Sequence, residues 1–216
     1  MSAPASAGTQ PRAAVPSEPN RLELRSGLYA LLSKGFAHPD EATLGLLAQW
    51  ELPADCDDAV AACLRAVIEA GRSLHVDALQ RAYIALFDPV AGPFPYEAEF
   101  KKLADFQKAQ LLADIMGFYR AFGVEPRLDR ADHIAAELEF MHYLLLKEHF
   151  ALAAGQAENA AVCREAGEKF LVEHLLTWTA PLGQALRAKG HALSPFYARL
   201  LDMLDAFVSS EKELLP

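Results

Sequence analysis

Along most of this chain the apolar positions recur every three or four residues, a period that predicts helices throughout and no strand. The pattern begins near residue 20, where Asn20 and Glu23 stand like a capping box with Asn in the Ser/Thr place. Leu24, Leu28, Leu31 and Leu32 follow in helical register, and Pro39 closes that region. Asp40 is placed to cap a second short helix reaching Trp50, and Pro53 breaks the pattern again. Val60, Cys63, Leu64 and Val67 mark one side of a third helix, and Leu79, Tyr83 and Leu86 the inner face of a fourth.

Residues 88–96 cannot be helical, because they hold Pro89, Pro93, Pro95 and Gly92. A long helix is then expected over 97–122, with Leu111, Ile115, Tyr119 and Phe122 in register, Gly123 as its C-terminal cap and Pro126 confirming the break. The next helix is expected to start at Asp132 and run to about residue 154. It carries Ile134, Leu138, Met141 and Leu145 on one face, Phe140 and Leu144 beside them, and Tyr143, Leu146 and Phe150 on the far side. A helix apolar all round belongs in the centre of a bundle. Another helix over 158–178 is expected to stop before Pro181, with a short piece to Lys189 ended by Gly190. The last helix has Ser194 as N-cap, Pro195 at its first position and a stripe of Tyr197, Leu200, Leu201, Leu204, Phe207 and Val208. The fold class expected is a single-domain all-α bundle of eight or nine helices over residues 20–216, preceded by a disordered Ala-, Ser- and Pro-rich tail over 1–19.

Composition narrows the function. The chain has 216 residues, 52% of them apolar, and a formal net charge of −9. Such an acidic protein repels nucleic acid and anionic membranes and suits a basic peptide. No run approaches the ~18 apolar residues of a membrane span. The N-terminus lacks the basic and apolar regions of a secretory signal, and no two arginines adjoin, so no twin-arginine export signal is read and a cytoplasmic location is expected. The odd, small set Cys56, Cys63 and Cys163 argues against a disulfide framework, and Cys56 and Cys63, seven apart, read as two small buried residues rather than as a metal site.

No phosphate-binding loop or nucleophile motif occurs. Glu139 and His142 form a Glu-x-x-His pair of the kind that binds iron in carboxylate bundles, but no second copy completes it; the plainer reading is a Glu–His hydrogen bond. Asp132 reads as a helix cap, and the pair Asp132-His133 also as the lining of a groove where a loop meets a central helix. The Pro-rich loop offers Val90, Phe94 and Tyr96 followed by Glu97 and Glu99, an apolar patch rimmed by carboxylates.

Three stretches in order carry a resemblance: Tyr83-Ile-Ala-Leu-Phe87, Gly92-Pro-Phe-Pro-Tyr-Glu97, and Asp132-His-Ile-Ala-Ala-Glu-Leu-Glu-Phe-Met141. With the closing Ser194-Pro-Phe-Tyr197, the chain from about 20 to 210 resembles the TorD/DmsD/NarJ family of molybdoenzyme maturation chaperones. The form Glu-Leu-Glu-Phe-Met leans toward the NarJ side and toward chaperones of ethylbenzene and dimethyl sulfide dehydrogenases and chlorate and selenate reductases. The resemblance implies a non-enzymatic, all-helical protein without a cofactor. Its partner would be the apo catalytic subunit of a molybdopterin oxidoreductase and that subunit's twin-arginine signal peptide, with the chaperone as monomer or domain-swapped dimer. Carried over by position, Asp132 and His133 would line the groove, with Leu86, Phe87, Phe94, Pro95, Tyr96 and Glu97 opposite. The family often has Ser and Tyr after the loop, where this chain has Ala98, Glu99 and Phe100. Two other readings stand beside this one, a helical metal-binding protein using Glu139 and His142 and a scaffold or regulatory subunit.

The energetics set the division of labour in such a groove. Exposed ion pairs contribute only ~0.2–1 kcal/mol each, against the roughly 8 kcal/mol of micromolar binding. Apolar burial, at ~25 cal/mol per Å2, must supply most of the affinity, and charge sets register and selectivity.

Overall fold

The structure is a computed structural model and describes residues 18–50, 58–72, 74–87, 90, 92–128 and 130–216. Among these residues it is an all-α bundle, as the periodicity and the resemblance both implied. The elements in order are α1 (Glu18–Phe36), α2 (Glu41–Gln49), α3 (Asp58–Arg72), α4 (Val76–Leu86), α5 (Glu97–Phe100), α6 (Asp105–Ala121), α7 (Ile134–Ala153), α8 (Ala157–Phe170), a π turn (Leu171–Leu175), α9 (Leu176–Arg187), a 3-10 turn (Gly190–Ala192) and α10 (Pro195–Glu213). The tail expected over 1–19 lies almost wholly outside the described residues, as do Pro53 and Cys56.

α7 is the axis of the bundle. α1 and α8 both lie along it, and α10 closes the far side against α3 and α9. Its sequence requires this position, since Ile134, Leu138, Met141 and Leu145 of one face are all buried, with Phe140 and Leu144 beside them buried too. Only Phe150 of the residues expected to cover its far side breaks the pattern, at 60% exposed. α1 and α10 are clamped by polar groups as well as apolar ones. Arg25 forks onto Glu211 at 2.6 and 2.8 Å, and the buried Tyr29 hydroxyl donates to the same carboxylate at 2.9 Å. Two caps stand where the spacing placed them: Asp40 accepts from the Thr43 N–H at 2.8 Å, and Ser194 accepts from the Tyr197 N–H with Pro195 at the first position of α10.

Four expectations are corrected. α1 already runs through Asn20, which sits inside the helix and does not begin it. The helix expected over 97–122 is two: Lys101 turns extended (φ −92°, ψ 130°) after the single turn of α5, and α6 starts afresh where the Gln107 side chain accepts the Ala104 N–H at 2.8 Å. α7 begins at Ile134, capped by His133 and not by Asp132, because the imidazole Nδ1 accepts from the Ala135 N–H at 3.0 Å. Pro181 does not interrupt the chain; it lies inside α9, where the burial of Trp178, Leu182 and Leu186 outweighs the roughly 3 kcal/mol that an interior proline costs. The irregularity falls upstream, in the π turn.

Where Gly35 of α1 faces Leu200 of α10 there is no room for a side chain. A methyl group on Gly35 would meet the Leu200 side chain at 2.7 Å, and Leu200 is fully buried and cannot swing away. Gly35→Ala should therefore cost about 1–3 kcal/mol; urea unfolding followed by circular dichroism measures it, and an unchanged midpoint would show that the two helices are free to separate there.

Candidate functional site

The two segments singled out in the sequence meet. The Pro-rich loop and the start of α7 pair as an isolated antiparallel bridge between Tyr96 and His133. The Glu97 N–H donates to the Asp132 carbonyl at 2.9 Å and the Ile134 N–H to the Pro95 carbonyl at 2.9 Å. The carboxylate of Asp132, freed from capping α7, reaches across and caps α5, accepting from the Ala98 N–H at 3.1 Å. Its charge is answered by Arg130, whose guanidinium forks onto both oxygens at 3.0 and 2.7 Å. That guanidinium lies 4.0 Å over the Tyr96 ring and 3.4 Å from Glu99. Tyr119 holds the approach to the bridge by donating its hydroxyl to the Ala131 carbonyl at 2.9 Å.

The residues expected to line a groove are thus gathered in one region, but at different depths. Leu86, Pro95, Glu97 and Asp132 are buried, and Phe87 and His133 are nearly so. Phe94 and Tyr96 are half-buried and Val90 is 90% exposed, so the apolar rim facing solvent is the outer edge of the loop. The placing of Glu97 on that carboxylate rim is corrected: it points inward, with no accessible surface. Phe87 stacks against Tyr83 and Tyr197, which ties the end of α4 to the start of α10 behind the loop.

Glu97 belongs to a buried polar cluster that the sequence reading missed. It accepts from His174 Nδ1 at 2.9 Å and pairs with Lys101 and the Thr177 hydroxyl. Burial alone would raise its pKa, but the hydrogen bonds from His174 and Lys101 outweigh that and hold it lowered. Nearby, Glu137 of α7 accepts from the Trp178 indole at 3.0 Å. Burial first, and then the charge of Glu97, push its carboxyl well above the ordinary range, so the fold favours its neutral form. A signal did exist for both groups. Glu137 lies between Ala136 and Leu138 and His174 beside Leu175, at positions that the fold buries, and an ionisable group there must find a partner or lose its charge.

The Glu139–His142 pair does not form the expected hydrogen bond. His142 shares its Nδ1 with the Ser26 hydroxyl at 2.8 Å, and Glu139 is exposed. Cys63 and Cys163 are free thiols, half-buried and buried, consistent with small core residues.

The site as a whole is a Pro-rich loop held by buried ionisable groups against the central helix of an all-α bundle. Residues 51–183 match the family model described as the nitrate reductase delta subunit, and the chain belongs to that family, within the TorD/DmsD/NarJ group. Over 204 residues it is 26% identical to the perchlorate reductase assembly chaperone protein of Dechloromonas aromatica (strain RCB), covering 88% of each chain. Over 201 residues it is 25% identical to the selenate reductase assembly chaperone protein of Thauera selenatis, covering 91% of this chain and 94% of that one. A third relative, the chlorate reductase assembly chaperone protein of Ideonella dechloratans, is 31% identical over 120 residues, 54% of this chain and 61% of that one. The chain is accordingly an assembly chaperone and not a catalyst. Among the described residues no helix is long and apolar enough to cross a membrane.

The cap of α7 carries a pH dependence. Burial pushes the His133 imidazole down to about 4 from 6.5; Asp132 pulls the other way and Arg130 adds to the push. The unfolded chain takes up this proton near 6.5 and the folded chain only near 4, so the stabilisation is complete above pH 6.5 and fades as pH falls to 4. Between pH 7 and pH 4.5 the native protein should lose about 2 kcal/mol more than His133→Asn, which keeps a capping side chain without the titration. Urea unfolding at the two pH values measures this; equal losses would show that His133 is not the source.

Proposed function

We propose that this chain holds the apo catalytic subunit of a molybdenum-cofactor oxidoreductase in the cytoplasm until the cofactor is inserted, and that it engages that subunit's twin-arginine signal peptide at the rim formed by Val90, Phe94 and Tyr96. The client class follows from the relatives, which are named for the assembly of perchlorate, selenate and chlorate reductases. The location at the rim rests on one observation above all. Arg130 already lies there as a guanidinium stacked on Tyr96, with Asp132 and Glu99 as its counter-charges. A client arginine presents the same group, and the Tyr96 face with the exposed Glu99 carboxylate suits it. Asp132, His133 and Glu97 serve this rim from behind, as positioning residues that fix the loop, while Leu86 and Phe87 form its apolar floor.

The apolar edge of the loop supports the same reading. A signal peptide continues past its arginines into an apolar run, and Phe94 with Val90 offers that run a surface. The acidic balance of the chain, −9 overall, favours the encounter with a basic peptide.

The test is a fluorescence titration of the full-length protein with a labelled twin-arginine peptide from a co-encoded molybdenum reductase. Tyr96→Ser combined with Phe94→Ser should weaken binding at least ~10-fold, the loss of ~1.4 kcal/mol or more, with the circular dichroism spectrum unchanged. A wild type that does not bind the peptide, or a double variant that binds it as well, would remove the rim from consideration. Capture of the subunit lacking its signal would then assign recognition to the mature region.

A further inference from the structure

α8 does not pass smoothly into α9. Between them the backbone widens into the π turn Leu171–Leu175, an irregularity that in helices is frequent at functional sites. The turn carries Glu173 and His174. The His174 side chain is 1% exposed, and its Nδ1 lies 2.9 Å from the Glu97 carboxylate. A carboxylate only accepts, so whenever the ring is neutral its proton sits on Nδ1 and Nε2 carries the free lone pair. Among the described residues Nε2 has no hydrogen-bond partner. It points instead toward Asp114 of α6, whose Oδ2 lies 3.4 Å away without hydrogen-bond geometry. The carboxylate of Glu173 completes the group, with the three ligand atoms all within 4.8 Å of one another.

We propose that Asp114, Glu173 and His174 form a binding site for a divalent first-row metal ion of the Zn2+ type, with Glu97 as the carboxylate that orients the imidazole. The spacing fits the ion. Two ligands each ~2.1 Å from a tetrahedral metal stand ~3.4 Å apart, which is the His174–Asp114 separation. Exposed carboxylates can close on an ion by small side-chain rotations, and Asp114 and Glu173 are 58% and 45% exposed. The buried imidazole selects against Mg2+ and Ca2+, which prefer all-oxygen shells. A carboxylate on the far nitrogen is the usual support of a metal-bound histidine, and Phe170 and Phe118 pack their rings 4.6 and 5.7 Å from it to exclude water. Three protein ligands leave a coordination position open.

Two ammonium groups compete with the ion. Lys101 is already engaged by Glu97 and by the Glu173 carbonyl at 3.2 Å. Lys169 lies 3.9 Å from the Glu173 carboxylate but is 61% exposed and free to swing aside. The site involves no residue of the Val90–Tyr96 rim, so its failure would leave the peptide reading untouched, and failure of the peptide titration would leave the metal site standing.

The test uses the full-length chain without a polyhistidine tag, stripped with chelator and titrated calorimetrically with Zn2+ alone at neutral pH. One equivalent should bind saturably. Asp114→Asn and Glu173→Gln, both at exposed positions, should each weaken it at least ~10-fold and together abolish it, with the helical spectrum unchanged. Co2+ in the native protein should give the visible absorption of a four- or five-coordinate site, absent from the double variant. Absence of saturable Zn2+ binding by the native chain would overturn the proposal, and so would equally tight binding by the double variant.

Discussion

Asp132 is a carboxylate with no accessible surface, and most of the candidate site follows from how its charge is answered. An unpaired buried anion would cost several kcal/mol or take up a proton. Here Arg130 supplies a bidentate counter-charge and Ala98 a backbone N–H, while the Asp132 carbonyl takes the N–H of Glu97. Each of these contacts has a structural consequence. The first turn of α5 starts where its amides can reach the carboxylate, and the Pro-rich loop is drawn against α7. Because Asp132 is spent on α5, His133 becomes the cap of α7, a role that an imidazole fills only while neutral.

Behind Asp132 the interior contains more acid than it can leave ionised. Glu97 and Glu137 both lack accessible surface, and they are handled differently. Glu97 keeps its charge through His174 and Lys101, whereas the neutral form of Glu137 is favoured, with the Trp178 indole as its donor. Such a network fixes the neighbouring loop rather than adding much stability, and it is not fully satisfied, since Glu137 Oε1 and His174 Nε2 have no hydrogen-bond partner among the described residues. The exposed part of the candidate site is small, the outer edge of one loop, and the network holds that loop in one place. The same network leaves Nε2 of His174 without a hydrogen-bond partner among the described residues, 3.4 Å from the Asp114 carboxylate.

How much of this was legible in the sequence depended on whether the deciding contact was local. Ser194 with Pro195, Asp40 before α2, and the all-round apolar run of α7 were legible because caps and periodicity act within one or two turns. The family motifs placed Tyr96 and His133 in one site, and the structure joins them by a backbone bridge. The errors share the opposite cause. Asp132 looked like the cap of its own helix, and only the arrival of α5 from 34 positions earlier gives its carboxylate another donor. Glu97 looked like a surface acid following a loop, and only α9 and the π turn, some 77 positions on, supply the histidine that draws it inward. Pro181 looked like a break because its cost is local, while the burial that offsets it comes from other helices.

By itself, then, the sequence determined an all-helical chain, a central α7, a rigid loop before α5 and the family to which these belong, because hydrophobic period, proline and capping chemistry are properties of neighbouring residues. The tertiary structure alone decided which of the marked residues are exposed and which are buried behind them. Burial and the choice of hydrogen-bond partner depend on groups that are distant in sequence, and an aspartate, a glutamate and a histidine look the same along the chain whether the fold buries them or leaves them in water.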